Sequence, residues 1–272
     1  MATVIAYGTG KQAYYDLFLE SCKRFQIEPV ILGWGEKWIG FGKKVMEIRD
    51  YLKQLPDDQI VISVDPFDVI FLCGTEEIEN KFNNLNIPFL CGALKLDSFN
   101  RRIYNFEFNR THKDIPDTPT GYNFLNSGTW ISRAGYAINL IDKLIEKYNM
   151  TETTMDQQLL TGMYIQDSTV VGIDWKCEIF HNILFKDFIT RKPDLKDIVF
   201  DTTRIKNSAT GTDPCILHAS GNAKMRDVAM RLGYEKGIST PHHVQINYAR
   251  KALFHIGRLL KYLFGGNGNK EY

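Results

Sequence analysis

The sequence predicts an α/β fold whose sheet is mostly parallel and flanked by helices. Three observations carry this expectation. Short apolar runs alternate with amphipathic segments of helical period. Residues 60–64, Ile-Val-Ile-Ser-Val, are apolar at all but one position, as in a strand buried on both faces. Asp65 follows that run directly, where an open sheet of this kind opens its ligand crevice beyond the carboxyl ends of its strands.

Taken in order, residues 4–7 read as a strand, Gly8-Thr9-Gly10 as a turn, and residues 12–25 as a helix burying Tyr14, Leu17, Phe18, Cys22 and Phe25. Residues 29–32 form a second strand, and a Gly- and Trp-rich loop spans 33–42. A helix carried by Val45, Ile48, Leu52 and Leu55 leads into strand 60–64. Beyond a strand at 89–91, residues 94–122 are polar and aromatic without a period, which reads as a functional loop or lid. Asn126-Ser127-Gly128 reads as a turn before strand 129–132. Helices follow at 134–148 and around 157–164, with short strands at 169–173 and 215–217. No repeat or low-complexity linker interrupts the chain, so one catalytic domain is expected over 1–236, with an appendage at 237–272.

Composition narrows the function classes. With 272 residues and 44% hydrophobic content, a substantial core can be buried. Lys and Arg number 33 against 32 Asp and Glu, which provides no steering field for nucleic acid. The five cysteines are scattered without zinc spacing, as expected of small buried apolar residues in a reducing compartment. The amino terminus enters a strand without a leader-like pattern, and no apolar run reaches the roughly 18 residues of a membrane span. A cytoplasmic protein is expected.

The appendage has its own pattern. Residues 241–264 place Ala249, Ala252, Leu253, Ile256, Leu259, Leu260 and Leu263 on one helical face, with Arg250, Lys251, Arg258 and Lys261 around the rest. Such a basic amphipathic helix fits either an anionic membrane surface or a docking site on the catalytic domain.

Chemistry concentrates at Asp65-Pro66-Phe67-Asp68, two carboxylates three residues apart just after a buried strand. There both can face one hard cation. Oxygen ligands suit Mg²⁺ or Mn²⁺, and an added imidazole favours Mn²⁺. Alone, the four residues read equally well as an Asx-capped turn.

Residues 4–234 resemble the glycosyltransferase domain of the procollagen lysyl hydroxylase and glycosyltransferase family. The resemblance rests on ordered blocks: Phe18-Leu19-Glu20-Ser21, Leu32-Gly33-Trp34-Gly35-Glu36-Lys37-Trp38, Gly42-Lys43-Lys44-Val45, Val64-Asp65-Pro66-Phe67-Asp68-Val69, Phe124-Leu125-Asn126-Ser127-Gly128, Asp156-Gln157-Gln158-Leu159 and Leu217-His218-Ala219-Ser220-Gly221-Asn222-Ala223-Lys224. It implies a GT-A fold and transfer of a hexose, glucose or galactose, from a UDP-sugar to a hydroxyl acceptor.

By the same resemblance, Asp65, Asp68 and His218 are the metal ligands, while Trp38 and Phe67 sandwich the uracil, with Phe67 replacing a tyrosine. Thr9 matches a uridine contact, and Lys44 and Lys224 are basic residues beside the donor. Asn126, Ser127, Gly128, Gln157, Ser220 and Gly221 fall in the donor-side blocks, and Asp156 matches a carboxylate implicated in catalysis. Three departures stand out. Thr153-Thr154-Met155 replaces further aspartates, Ser220 replaces an asparagine, and residues 93–109 do not reproduce the family's acceptor-side loop. A nucleotide-sugar hydrolase or nucleotidyltransferase, or a donor-binding protein without turnover, uses the same acidic turn and remains an alternative.

Overall fold

The computed structural model describes residues 1–97, 101, 115–187 and 190–236; the expected appendage helix and most of the expected lid lie outside the described residues. Strands β1 (Thr3–Tyr7), β2 (Val30–Leu32), β3 (Ile60–Val64), β5 (Phe89–Leu94), β6 (Phe124–Arg133) and β7 (Gly172–Ile173) form the main sheet, in the order β2-β1-β3-β6-β5-β7. Only β6 runs against its neighbours. The expected mostly parallel sheet is what the chain builds.

Helices cover both faces because successive side chains on a strand point to opposite sides. Ile5 and Val61 enter one core with α2 (Phe41–Leu52), α4 (Ala134–Tyr148) and α5 (Asp156–Gln166). Val4, Ala6, Ile60, Ile62 and Val64 enter the other, with α1 (Tyr15–Arg24) and α3 (Thr75–Asn84). A smaller sheet, ordered β4-β11-β8, joins β4 (Val69–Phe71), β11 (Ile216–Ala219) and β8 (Phe180–Ile183). Its outer face packs on Tyr14, Leu17 and the short helix α6 (Arg226–Arg231), and the hairpin β9 (Ile198–Asp201) and β10 (Arg204–Asn207) flanks it.

Several boundaries differ from the sequence reading, each for a local reason. Helix α1 starts at Tyr15 rather than residue 12, because Ala13 takes φ +41° and Tyr14 N donates to Phe67 O at 3.1 Å. The turn is spent docking the chain onto the acidic motif. Gly42 belongs to the first turn of α2, not to the loop before it. A Cβ there would lie 1.9 Å from Thr151 O, so only glycine lets the helix start seat on residues 151–153.

Asn126-Ser127-Gly128 is not a turn before a strand but part of β6. The register with β5 jumps from Cys91↔Trp130 to Gly92↔Asn126, so residues 127–129 bulge from that partner. The same stretch stays in register with β3, where Val64 faces Thr129 and Asp65 N donates to Gly128 O at 2.9 Å. His218 likewise lies inside β11, and the strand expected at 169–173 shortens to Gly172–Ile173.

Candidate functional site

Three chain segments converge at the carboxyl end of β3. Asp65 leaves that strand, and Asp68 sits at the foot of β4, held in place because Ala219 N donates to Asp68 O at 2.8 Å. His218 comes from β11, antiparallel to β4 and paired with Val69. A metal-binding atom from each of the three lies within 4.8 Å of the others. Gly128 makes this convergence sterically feasible: a Cβ there would stand 2.5 Å from His218 Cε1 and 2.9 Å from Asp65 Oδ2.

The cleft around them measures about 180 Å³. Lys44 enters from α2, with its Nζ 2.9 Å from Asp65 Oδ1 although the residue is only 5% exposed. Asn126, Ser127 and Gly128 line the wall through the β6 bulge, where Asn126 Oδ1 accepts Gly128 N at 3.1 Å. Asp156 and Gln157 come from the start of α5, and Gln157 Oε1 accepts Ser127 N at 3.2 Å. Ser220 and Gly221 close the far side. Eleven of the fifteen residues singled out from sequence therefore meet in one cleft.

The other four stand apart from its lining. Thr9 lies at the bend after β1, and its carbonyl accepts Gly35 N at 3.2 Å. Trp38 is 45% exposed and packs edge-on against Tyr7 and Phe41, whereas Phe67 tilts against Tyr15. Trp38 and Phe67 thus pack in different aromatic groups. Lys224 is exposed beyond the 3-10 turn Ser220–Asn222. Phe41 and Met155 also line the cleft and were not singled out from sequence.

Electrostatics shows what the cleft lacks. Burial raises the pKa of Asp68, against the pull of His218, and burial likewise raises that of Asp156, against Lys44. Burial opposes charge on His218 and Lys44 too, but neighbouring carboxylates outweigh it and leave both pKa values above their usual level. Asp68 Oδ1 is buried without a hydrogen bond, its polar contact being the ion-pair approach of His218 Nε2 at 3.3 Å; Asp156 Oδ2 is also buried without one. Three carboxylates thus face one lysine and one imidazole. A hard divalent cation fits this donor set, since bonds of about 2.1 Å bring ligand atoms within about 4.2 Å of one another. One atom from each of Asp65, Asp68 and His218 lies within 4.8 Å of the others, which is close enough for one cation to reach all three.

In a second trio, Cys73, Glu77 and Cys215, one ligand atom from each also lies within 4.8 Å of the others. This trio does not fit a cation. Both Glu77 oxygens already accept the guanidinium of Arg204, at 2.8 and 3.0 Å, and Lys81 Nζ lies 3.1 Å from Oε1.

The family model for the PLOD GT domain matches residues 1–234. The chain belongs to that family. Among curated relatives, human procollagen-lysine,2-oxoglutarate 5-dioxygenase 2 is 26% identical over 239 residues, covering 80% of this chain and 31% of that protein. Human multifunctional procollagen lysine hydroxylase and glycosyltransferase LH3 is 27% identical, covering 82% and 30%. Uncharacterized protein R699 of Acanthamoeba polyphaga mimivirus is 26% identical, covering 76% and 43%. The chain thus spans about a third of the length of the two human proteins. Among solved structures, a glycosyltransferase involved in glycosylation of the PBCV-1 major capsid superposes with TM-score 0.43 at 11% identity, covering 85% of this chain and 97% of that one. Mouse xyloside xylosyltransferase 1 in its apo form gives 0.40 at 13%, covering 77% and 73%.

Proposed function

We propose that the chain is a divalent-cation-dependent glycosyltransferase that moves a hexose, glucose or galactose, from a UDP-sugar to a hydroxyl acceptor. The observation that carries this is the cleft of Asp65, Asp68 and His218 in a chain of the PLOD GT domain family, with buried carboxylates in excess of buried cations. Mn²⁺ or Mg²⁺ held by those three supplies Lewis acidity toward a diphosphate leaving group. Lys44 holds Asp65 in place, and Lys224 stands where the resemblance puts a basic residue to meet charge growing on the departing phosphate. Thr9, Trp38 and Phe67 form the uridine side of this reading, with the base lying between the two aromatic groups. Asn126, Ser127, Gly128, Gln157, Ser220 and Gly221 form the sugar side. Asp156 orients sugar hydroxyls or the acceptor from the start of α5.

The test is a panel of UDP-sugars with Mn²⁺, with and without hydroxyl acceptors, read as UDP release and as product mass. Transfer predicts UDP release that rises with acceptor and stops in EDTA. Equal release without acceptor makes the chain a hydrolase, and binding without release makes it a donor-binding protein.

A further inference from the structure

Beside His218 lies a residue that no motif marks. Asn182, on β8, is 3% exposed, and its Oδ1 stands 2.7 Å from His218 Nδ1. Its Nδ2 donates to Ala93 O at 3.1 Å. A carbonyl can only accept, so the amide cannot flip: nitrogen faces Ala93 and oxygen faces the imidazole. An amide oxygen in turn only accepts, so His218 must carry a proton on Nδ1. When the ring is neutral, its Nε2 is then a bare lone pair aimed at the side where Asp68 waits at 3.3 Å. Ser220 Oγ also approaches Nδ1, at 3.3 Å, but a hydroxyl either donates or accepts and cannot choose the tautomer.

The surrounding backbone makes room for this one side chain. A Cβ on Gly92 would fall 2.3 Å from Asn182 Nδ2 and 2.6 Å from Thr129 Oγ1. Gly92 is also where the β5/β6 register jumps. The bulge and its bare glycine leave the slot that Asn182 fills.

We infer that Asn182 is a positioning residue for the site, one that fixes His218 as a metal ligand through Nε2 by holding its Nδ1–H from behind, with Gly92 as the gap that admits it. This rests on the metal reading of Asp65, Asp68 and His218 given above. Partners of this kind orient a ligating imidazole and are worth about 10–100-fold in metal affinity.

The experiment uses the full chain with Mn²⁺ as probe, measured by calorimetry or by electron paramagnetic resonance. Asn182→Ala and Gly92→Ala should each weaken Mn²⁺ binding about 10–100-fold, with circular dichroism and thermal melting confirming that each variant folds. Asn182→Asp should keep most of the affinity, because a carboxylate still accepts from Nδ1–H. Unchanged Mn²⁺ affinity in folded Asn182→Ala overturns the inference. Imidazole ¹⁵N shifts of His218, taken metal-free at a pH where the ring is neutral, provide a readout that needs no metal. They should report the Nδ1–H tautomer in the native chain and lose that preference in Asn182→Ala. An Nε2–H tautomer in the native chain overturns the inference whether or not Mn²⁺ binds. Native chain that shows Nδ1–H but binds no divalent cation would instead defeat the metal reading and leave the hydrogen-bond assignment standing.

Discussion

The two ends of the β4/β11 ladder present similar ligand trios with opposite consequences. At one end Asp68 and His218 join Asp65; at the other Cys73 and Cys215 join Glu77, and each trio lies within 4.8 Å. Distance alone does not separate them. Local charge does. At the first end carboxylate oxygens are buried with too few donors; at the second Arg204 and Lys81 already neutralise the one carboxylate, and the side-chain hydrogen bonds from Arg204 hold its pKa down to about 2. A buried anion in excess attracts a cation, whereas a satisfied ion pair is a joint between a helix and a hairpin.

The largest effect expected from this contrast is at Asp68. Asp68→Ala should abolish Mn²⁺ binding and lower transfer by at least about a hundredfold, the scale of losing one electrostatic stabiliser of a transition state. The variant should remain folded, because the backbone bond from Ala219 N to the carbonyl of residue 68 is retained. Calorimetric titration and a thermal melt check both halves. Zn²⁺ binding that survives Asp68→Ala but disappears in Cys73→Ser would break the comparison, since the thiol end would then be a metal site.

A third cluster, behind the cleft, sharpens the contrast through pH. His181 is buried against Tyr122 and lowered by that burial to about 4, from an ordinary 6.5. The unfolded chain therefore binds a proton that the folded ring refuses. Stability is unaffected by this group above about pH 6.5 and falls as pH drops toward about 4, by up to about 3 kcal/mol. Asp174, raised by burial to about 6, acts in the opposite sense over the same window. The measurement is thus a difference. The stability of the native chain relative to His181→Gln, from urea midpoints, should decline on acidification from pH 6.5 to 4. A flat difference would show that the imidazole is hydrated.

The smallest effect belongs to the joint. Glu77→Ala should cost about 1 kcal/mol, because Glu77 and Arg204 are each about one-third exposed and solvent screens them. Mn²⁺ affinity should not change. A loss of affinity would mean that the two ends of the ladder communicate.

Much of the architecture was legible because its signals are local. The largely apolar strand 60–64 and the 134–148 helix appear where the residue pattern places them. Helix α3 was missed because only Ile78 and Phe82 mark its buried face among polar neighbours. Strand β8 was missed because His181 and Asn182 interrupt it, and both are polar for tertiary reasons: one closes a buried network, the other backs His218. Hairpin β9/β10 turns through Thr202 at φ +49°, without the Asn-Gly or Asp-Gly pair that announces such turns. The metal trio was named from a family resemblance rather than from spacing, since His218 lies 150 residues beyond Asp68. Asn182 left no signal at all, because its role exists only once β5, β8 and β11 are side by side.

The seating of α2 on residues 151–153 has a kinetic corollary. Lys43 N donates to Glu152 O at 2.9 Å, and neither Gly40 nor Gly42 leaves space for a methyl group against that backbone. The chain carrying Trp38 and the chain leading into Asp156 are thus welded at one spot. Fluctuations that lift one must drag the other, so amide exchange at 36–43 and at 151–157 should share a single opening rate, and nucleotide bound on one side should slow both.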